Sequence, residues 1–357
     1  MRIVEPHSEE EAAEILRCAN EDGAAVIPRG GGTKSDWGNP PRRTDVMLST
    51  ANLNRVIEHA WADLTVTVEA GCTIAELQRR LAQHGQRLAL DPLWPEKATV
   101  GGVLSTNDSG VLRLRYGGLR DLIIGITLAL ADGTLARSGG KVVKNVAGYD
   151  LSKLVTGAFG TLGVITSVTF RLHPLPKHTC TVTAAIPDLR AMQELMGKIL
   201  DAQLVPAAVQ VRAGAAAPQI DVLFEGTEEG IHAQVDRLRE MTPLIENGPE
   251  VWQRLDAGAK ISVLPARIAE TLEGLEGYAV VEATGIGWVQ SHRLAQMREK
   301  IEGKGGSLVL MRPYESMDAW GATAESAGGD ALPLMRAIKQ RFDPRGILNP
   351  GVFVGGI

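Results

Sequence analysis

Three glycine-rich segments in the first half of the chain constrain its fold more than any other feature. They begin with Pro28-Arg29-Gly30-Gly31-Gly32-Thr33 and with Ala98-Thr99-Val100-Gly101-Gly102-Val103-Leu104-Ser105-Thr106-Asn107-Asp108-Ser109-Gly110. The third, Gly139-Gly140-Lys141 through Asp150, is followed by Gly157-Ala158-Phe159-Gly160-Thr161-Leu162-Gly163-Val164-Ile165. None forms the G-x-G-x-x-G turn of a Rossmann unit. Glycine lacks a Cβ, so backbone N–H groups at such places close on an anionic ligand and φ turns positive without strain. With 40 glycines in 357 residues, some are ordinary turns, and a lone Gly-Gly-Gly-Thr reads as a turn as readily as a site. Three segments in this order point to one long phosphate-bearing ligand, a dinucleotide.

The chain is long for one core and suits two domains. Its 44% hydrophobic and 22% charged residues are those of a globular protein. A net charge of −5 and 4% aromatics supply neither the basic face nor the stacking platform of a nucleic-acid binder. The N-terminus has no apolar leader, and the longest apolar run, Leu122 to Ala131, reads as a buried strand, too short to span a bilayer. A cytoplasmic location is expected. Cys18, Cys72 and Cys180 are widely spaced. They fit neither a disulfide framework nor an iron–sulfur site and read as buried small residues.

Along the chain, Ser8 with Glu11 and Thr73 with Glu76 are capping boxes that open helices. Strands are expected at 24–28, 64–69, 123–130 and 163–172, with Asp132-Gly133 as a hairpin turn. The prolines at 174 and 176 mark a boundary near 177. Beyond it, helices at 188–203, 229–241, 265–274 and 290–303 alternate with strands at 207–212, 220–225, 261–264, 278–284 and 307–311. That alternation predicts an antiparallel sheet with helices on one face.

These segments resemble the FAD domain of the vanillyl-alcohol oxidase and p-cresol methylhydroxylase flavoproteins. That domain carries P-x-G-G-G-T, then T-V-G-G-x-L-x-x-N-x-x-G, then G-x-x-G-x-x-G-V-I. The closing Phe342-Asp343-Pro344-Arg345-Gly346-Ile347-Leu348-Asn349-Pro350-Gly351 also fits. Val143-Lys144-Asn145-Val146-Ala147-Gly148-Tyr149-Asp150-Leu151 and Val251-Trp252-Gln253-Arg254-Leu255 resemble the family of smaller flavin subunits found in bacterial three-subunit glycolate oxidases. The resemblance implies an α+β fold with a PCMH-type FAD-binding domain at 1–177. It further implies a smaller ferredoxin-like cap at 178–330, and a C-terminal segment, 331–357, returning to the first domain.

By the same resemblance, Arg29, Gly30, Gly31, Gly32 and Thr33 wrap the FAD pyrophosphate. Thr99, Gly101, Gly102, Ser105, Thr106, Asn107 and Gly110 form a second wall that brings donors to the ligand. Gly160, Gly163, Val164 and Ile165 lie along the adenosine, and Asn349 belongs to the same site. FAD is expected to be bound non-covalently, because the Arg29–Thr33 loop holds no His or Cys; Cys72 is a remote alternative tether. Single-chain 2-hydroxyacid dehydrogenases of the superfamily carry a His pair and a H-G-D-G-x-x-H-type segment. Here His232 and His292 stand alone, His173 and His178 flank the Pro-rich boundary, and no metal site is expected. No catalytic residue is assigned. Arg113, Arg115 and Arg120 around Tyr116 are carboxylate ligands or a solvated rim. Lys141 and Lys144 are a cationic flavin neighbour or an exposed pair, and Tyr149 and Asp150 serve packing and capping. The expected role is an FAD subunit of a glycolate (2-hydroxyacid) oxidase complex. It would relay electrons between a catalytic flavin subunit and an iron–sulfur subunit, with membrane contact through those partners at most. A self-sufficient FAD-dependent dehydrogenase and a non-redox flavin scaffold are the alternatives.

Overall fold

Ser8 starts the first helix as expected: its hydroxyl accepts the Glu11 N–H at 3.2 Å. The Glu11 carboxylate reaches back to the His7 N–H at 2.7 Å, one residue beyond the reciprocal bond of a capping box. The helix ends at Gly23, whose φ of +64° is the left-handed closing conformation. The computed structural model describes residues 1–141, 150–253, 258–312, 314, 316–321 and 331–357. The chain divides into two compact units. One comprises Met1–Gly110, Gly117–Leu175 and Gly328–Ile357, the other Val111–Tyr116 and Pro176–Ala327.

In the first unit, β1 (Arg2–Val4), α1 (Glu9–Asp22), β2 (Val26–Arg29) and β3 (Val46–Ser49) build a parallel sheet of order β1-β3-β2. There follow β4 (Val56–Ala60), β5 (Thr65–Glu69), α2 (Ile74–Ala82), β6 (Gln86–Arg87) and α3 (Val100–Thr106). After α4 (Arg113–Tyr116), which belongs to the second unit, come α5 (Leu119–Leu122), β7 (Ile123–Ala129), β8 (Leu135–Gly139), α6 (Leu151–Val155) and β9 (Val164–Arg171). β4, β5, β9, β7 and β8 pair in that order as an antiparallel sheet, the Asp132-Gly133 turn joining β7 to β8. Apolar residues of α2 and α3 cover one face of this sheet. Leu16, Val26, Leu48 and Leu348 close a second core beneath α1. Each such fully buried side chain contributes about 1.5–3 kcal/mol relative to exposure. β10 (His173–Pro174) pairs with β6 before the chain leaves the unit.

The second unit follows one plan twice. β11 (His178–Ala185), α7 (Leu189–Asp201), β12 (Ala208–Ala213), β13 (Gln219–Gly226), α8 (Glu228–Arg239) and β14 (Ile245–Asn247) form a βαββαβ module. β15 (Ala259–Ser262), α9 (Ile268–Leu272), β16 (Gly277–Glu282), β17 (Ile286–Ser291), α10 (Leu294–Glu302) and β18 (Ser307–Leu310) form another. The modules join through β12 and β16 into one antiparallel sheet, β14-β11-β13-β12-β16-β17-β15-β18. Val209, Val211, Ile220, Val222, Ala279 and Val281 alternate onto the face covered by the helices. The other face carries Thr183, Gln210, Arg212, Asp221 and Glu282.

Three departures from the sequence reading stand out. β11, β14 and β17 are strands it did not assign, and the helix expected at 290–303 begins only at Leu294. The expected helix at 265–274 is a 3-10 turn, Pro265–Arg267, followed by α9. Finally, Val111–Tyr116 leaves the stretch read as continuous to 177. Leu114 packs into the second unit's core, and the Tyr116 hydroxyl donates to Glu225 Oε2 at 2.7 Å.

Candidate functional site

β2 delivers Arg29 into the first glycine loop, and that loop presses on the segment entering α3. A Cβ on Gly31 would stand 1.8 Å from the Lys97 carbonyl oxygen, and one on Gly30 2.1 Å from Thr99 Oγ1. Only glycine permits this approach. Thr99 caps α3, its Oγ1 accepting the Gly102 N–H at 3.3 Å. The Gly101 N–H is spent on the Ala70 carbonyl at 2.8 Å. Ser105 Oγ donates to the Gly101 carbonyl at 2.7 Å and Thr106 Oγ1 to that of Gly102 at 2.9 Å. These hydroxyls thus present lone pairs outward. The donors expected from them are used inside the helix.

The third wall is the turn before β9, where Phe159 and Gly160 both have positive φ, +54° and +69°. The C-terminal segment seals it. The Asn349 N–H donates to the Val26 carbonyl at 3.0 Å and its Nδ2 to the Phe159 carbonyl at 2.6 Å. A carbonyl only accepts, which fixes the amide orientation. Asn349 Oδ1 is then buried with no partner among the described residues.

These elements enclose a pocket of about 510 Å³. Of the residues expected at the site, Arg29, Gly30, Gly31, Gly32 and Thr33 line it. So do Thr99, Gly101, Gly102, Ser105 and Thr106, and Gly160, Gly163, Val164, Ile165 and Asn349. Asn107 and Gly110 are not among the lining residues. Asn107 closes α3 in the left-handed conformation with φ of +49°, and Gly110, φ +80°, packs on Asp91. Sequence reasoning missed Lys34, Trp37, Met47 and Phe159, which also line the pocket. The available signal was Lys34 and Trp37 directly downstream of the glycine loop.

The other candidates lie elsewhere. Arg115 donates to the Glu225 carbonyl at 3.2 Å and Arg120 to that of Thr156 at 3.1 Å. Neither lines the pocket, nor does Arg113. Lys141 pairs with Glu58. Lys144 and Tyr149 lie outside the described residues. Asp150 caps α6, accepting the Lys153 N–H at 3.1 Å. His232 and His292 are exposed. Among the described residues no group of three His, Cys, Asp or Glu is placed to hold a metal ion, and no helix is long and apolar enough to cross a membrane.

Cys72 is buried and lines a separate cavity of about 460 Å³ that also touches Gly30 and Gly31. Burial pushes its thiol up to about 11. Cys18, read as buried, is exposed in α1; its side chain donates to Glu14 at 3.5 Å on the solvent side of the helix. Iodoacetamide at pH 8 is expected to label Cys18 well before Cys72, of which about one part in a thousand is thiolate at that pH. Peptide mapping over time checks this; equal rates would show that the Cys72 environment is open.

Known proteins agree with this architecture. A profile for the FAD binding domain matches residues 1–139, and one for the C-terminal domain of FAD linked oxidases matches residues 317–353. D-lactate dehydrogenase of Archaeoglobus fulgidus is 30% identical over 414 residues, spanning 99% of this chain and 91% of that protein. The chain belongs to the FAD-linked oxidase family. Within that family of oxidoreductases, glycolate oxidase subunit GlcD of Bacillus subtilis is 32% identical over 208 residues, 58% of this chain and 44% of that protein. Bos taurus mitochondrial D-2-hydroxyglutarate dehydrogenase is 33% identical over 207 residues, 56% of this chain and 38% of that protein. The aligned region is thus less than half of each of these two relatives. Among solved structures, p-cresol methylhydroxylase shares the fold with a TM-score of 0.76 at 16% identity, over 98% of this chain and 88% of that one. Alkyldihydroxyacetonephosphate synthase does so with a TM-score of 0.72 at 19% identity, over 98% and 76%.

FAD is the cofactor of this FAD-linked oxidase, and the pocket suits it. Glycine walls leave room for close backbone approach, Arg29 supplies a cation over Gly32, and Asn349 Oδ1 offers an acceptor to an N–H or O–H of the ligand.

Proposed function

We propose that this chain is the FAD-binding subunit of a complex that oxidises a small 2-hydroxy acid of the glycolate or D-lactate class. It passes the electrons to an iron–sulfur partner. FAD, when bound, supplies the two-electron acceptor. The chain's own residues hold it non-covalently: the Arg29–Thr33 loop and Gly102 flank the diphosphate, and Gly160 to Ile165 with Asn349 hold the adenosine end.

The observation that carries the subunit reading is the state of the second unit's polar sheet face. Arg212 is the cation there best suited to a substrate carboxylate. Its guanidinium is engaged by the fully buried Asp221, at 2.6 and 2.8 Å, with Tyr278 as a further neighbour. His232 and His292 are exposed. Relatives named as a glycolate oxidase subunit and as D-lactate and D-2-hydroxyglutarate dehydrogenases support the substrate class. In this reading the protein works in the cytoplasm and reaches a membrane only through its partners.

A self-sufficient dehydrogenase is the second reading, favoured by the alignment over 91% of the Archaeoglobus D-lactate dehydrogenase. Anaerobic titration of the purified chain with glycolate and with D-lactate separates the two. The flavin absorbance is expected to stay oxidised until the partner subunits are added. Bleaching by the isolated chain would establish the second reading instead.

A further inference from the structure

We infer that Lys34 is a positioning residue of the FAD site, its buried ammonium fastening the first glycine loop to both ends of α3. Lysine is almost never buried unless paired. The Lys34 side chain is 5% exposed, and its Nζ lies 3.3 Å from the carboxylate of Asp108, which is 0% exposed. The rings of Trp37 and Trp94 stand 5.5 and 5.7 Å from the same nitrogen, close enough for attraction between cation and aromatic face.

Each contact comes from a different part of the pocket frame. Lys34 directly follows Thr33 of the glycine loop. Trp94 lies upstream of α3, its carbonyl accepting the Lys97 and Ala98 N–H groups at 3.0 and 2.8 Å just before the Thr99 cap. Asp108 lies just downstream of α3 and accepts the Leu93 N–H at 2.9 Å. Trp94 holds φ at +53°, a conformation a bulky residue adopts only when its surroundings over-determine it.

The pair is also polarised. Lys34 lines the pocket and Asp108 does not, so the cationic member of the pair is the one that belongs to the pocket wall. A buried ion pair gives little net stability over an apolar pair of the same size. Its value here is register. It sets the spacing between loop and helix where Gly31 and Lys97 already touch, and keeps a cation in the wall.

The inference rests on the placement of FAD in this pocket. The test measures FAD affinity by flavin fluorescence, and melting of the flavin-free protein. It compares the unsubstituted chain with Lys34→Met/Asp108→Asn and Lys34→Arg. The double variant removes both charges together, so it is expected to melt near the unsubstituted chain while its Kd for FAD rises about 10- to 100-fold. That is the usual cost of losing a group that orients direct contacts. Lys34→Arg is expected to recover most of that affinity. Undiminished FAD affinity in the double variant overturns the inference, as does an affinity in Lys34→Arg no better than the double variant's. If the double variant does not fold, equal FAD affinity of Lys34→Arg and Lys34→Gln overturns it too. An unsubstituted chain that binds no FAD refutes instead the cofactor's placement.

Discussion

Gly102→Asp is expected to abolish FAD retention while leaving the fold as stable as before, whereas Gly31→Ala is expected to damage both. The two glycines serve the same pocket through different physics. A Cβ on Gly102 meets only Thr99 Oγ1, at 3.2 Å, a hydroxyl that can give by a few tenths of an ångström. Gly102 is the third residue of α3. A carboxylate in the first turn of a helix is favoured, so aspartate there is neutral or slightly stabilising. Its charge, however, faces the space assigned to the diphosphate. Two like charges about 4 Å apart cost about 4 kcal/mol at an effective dielectric constant near 20, or about a thousandfold in Kd. Gly102→Ala, with the same backbone and no charge, is the control and keeps its flavin. At Gly31 the obstacle is steric. The added carbon would overlap the Lys97 carbonyl at 1.8 Å, and relieving such overpacking typically costs about 1–3 kcal/mol. Flavin absorbance per protein after purification, with melting of the flavin-free protein, separates the two effects. Full FAD occupancy in Gly102→Asp would move the cofactor out of this pocket.

The contrast between these positions marks what was legible in the sequence. Local chemistry was readable. The Ser8 and Thr73 caps, the Asp132-Gly133 hairpin and the glycine segments all lie within a few residues of what they control. Glycine spacing was enough to gather three distant segments into one ligand hypothesis, because each needs a missing Cβ for the same reason. Pairings at long range were not readable. Lys34 and Asp108 are 74 positions apart in the sequence, and no periodicity links a lysine after a glycine loop to an aspartate after a helix. β11 reads His178-Thr179-Cys180-Thr181-Val182-Thr183-Ala184-Ala185, β-branched and alternating as a strand should be. It lay directly after the prolines at 174 and 176, where a linker was the simpler reading. The symmetry of the second unit was hidden for a related reason. Without β11, β14 and β17, neither βαββαβ module is complete, so the order of helices and strands showed alternation without the repeat. Among the site residues, Asn107 and Gly110 keep the residue type of the family pattern and take positive φ in turns outside the pocket lining.

The C-terminal segment makes the strongest stability prediction, because one buried ion pair joins three pieces of the first unit. α11 (Ala331–Phe342) presents Lys339. Its Nζ donates to the Thr161 and Leu348 carbonyls at 2.8 Å each and to Asp343 Oδ2 at 2.7 Å. Asp343, with a side chain 0% exposed, also accepts the Ile347 and Leu348 N–H groups at 3.0 and 2.7 Å. Thr161 belongs to the Gly160–Gly163 wall and Leu348 precedes Asn349, so the pair holds two walls of the pocket in register. Asp343→Ala leaves a buried ammonium without its counter-ion and two N–H groups without their acceptor. Breaking a buried pair in this way costs about 3–5 kcal/mol. The loss should depend on pH with a definite sign. Burial already holds the Lys339 ammonium below its ordinary value of 10.5, and Asp343 opposes that shift. Removing the carboxylate lowers the folded value further. Between that lowered value and 10.5 the unfolded chain binds more protons than the folded one, so stability rises with pH across the window. The deficit of Asp343→Ala against the unsubstituted chain is therefore largest at neutral pH and shrinks as the solution is made alkaline. Urea midpoints at neutral and at alkaline pH measure it. A deficit that does not change with pH would mean that Lys339 is not the group left uncompensated, and one under about 1 kcal/mol would put the pair in the range of an exposed salt bridge.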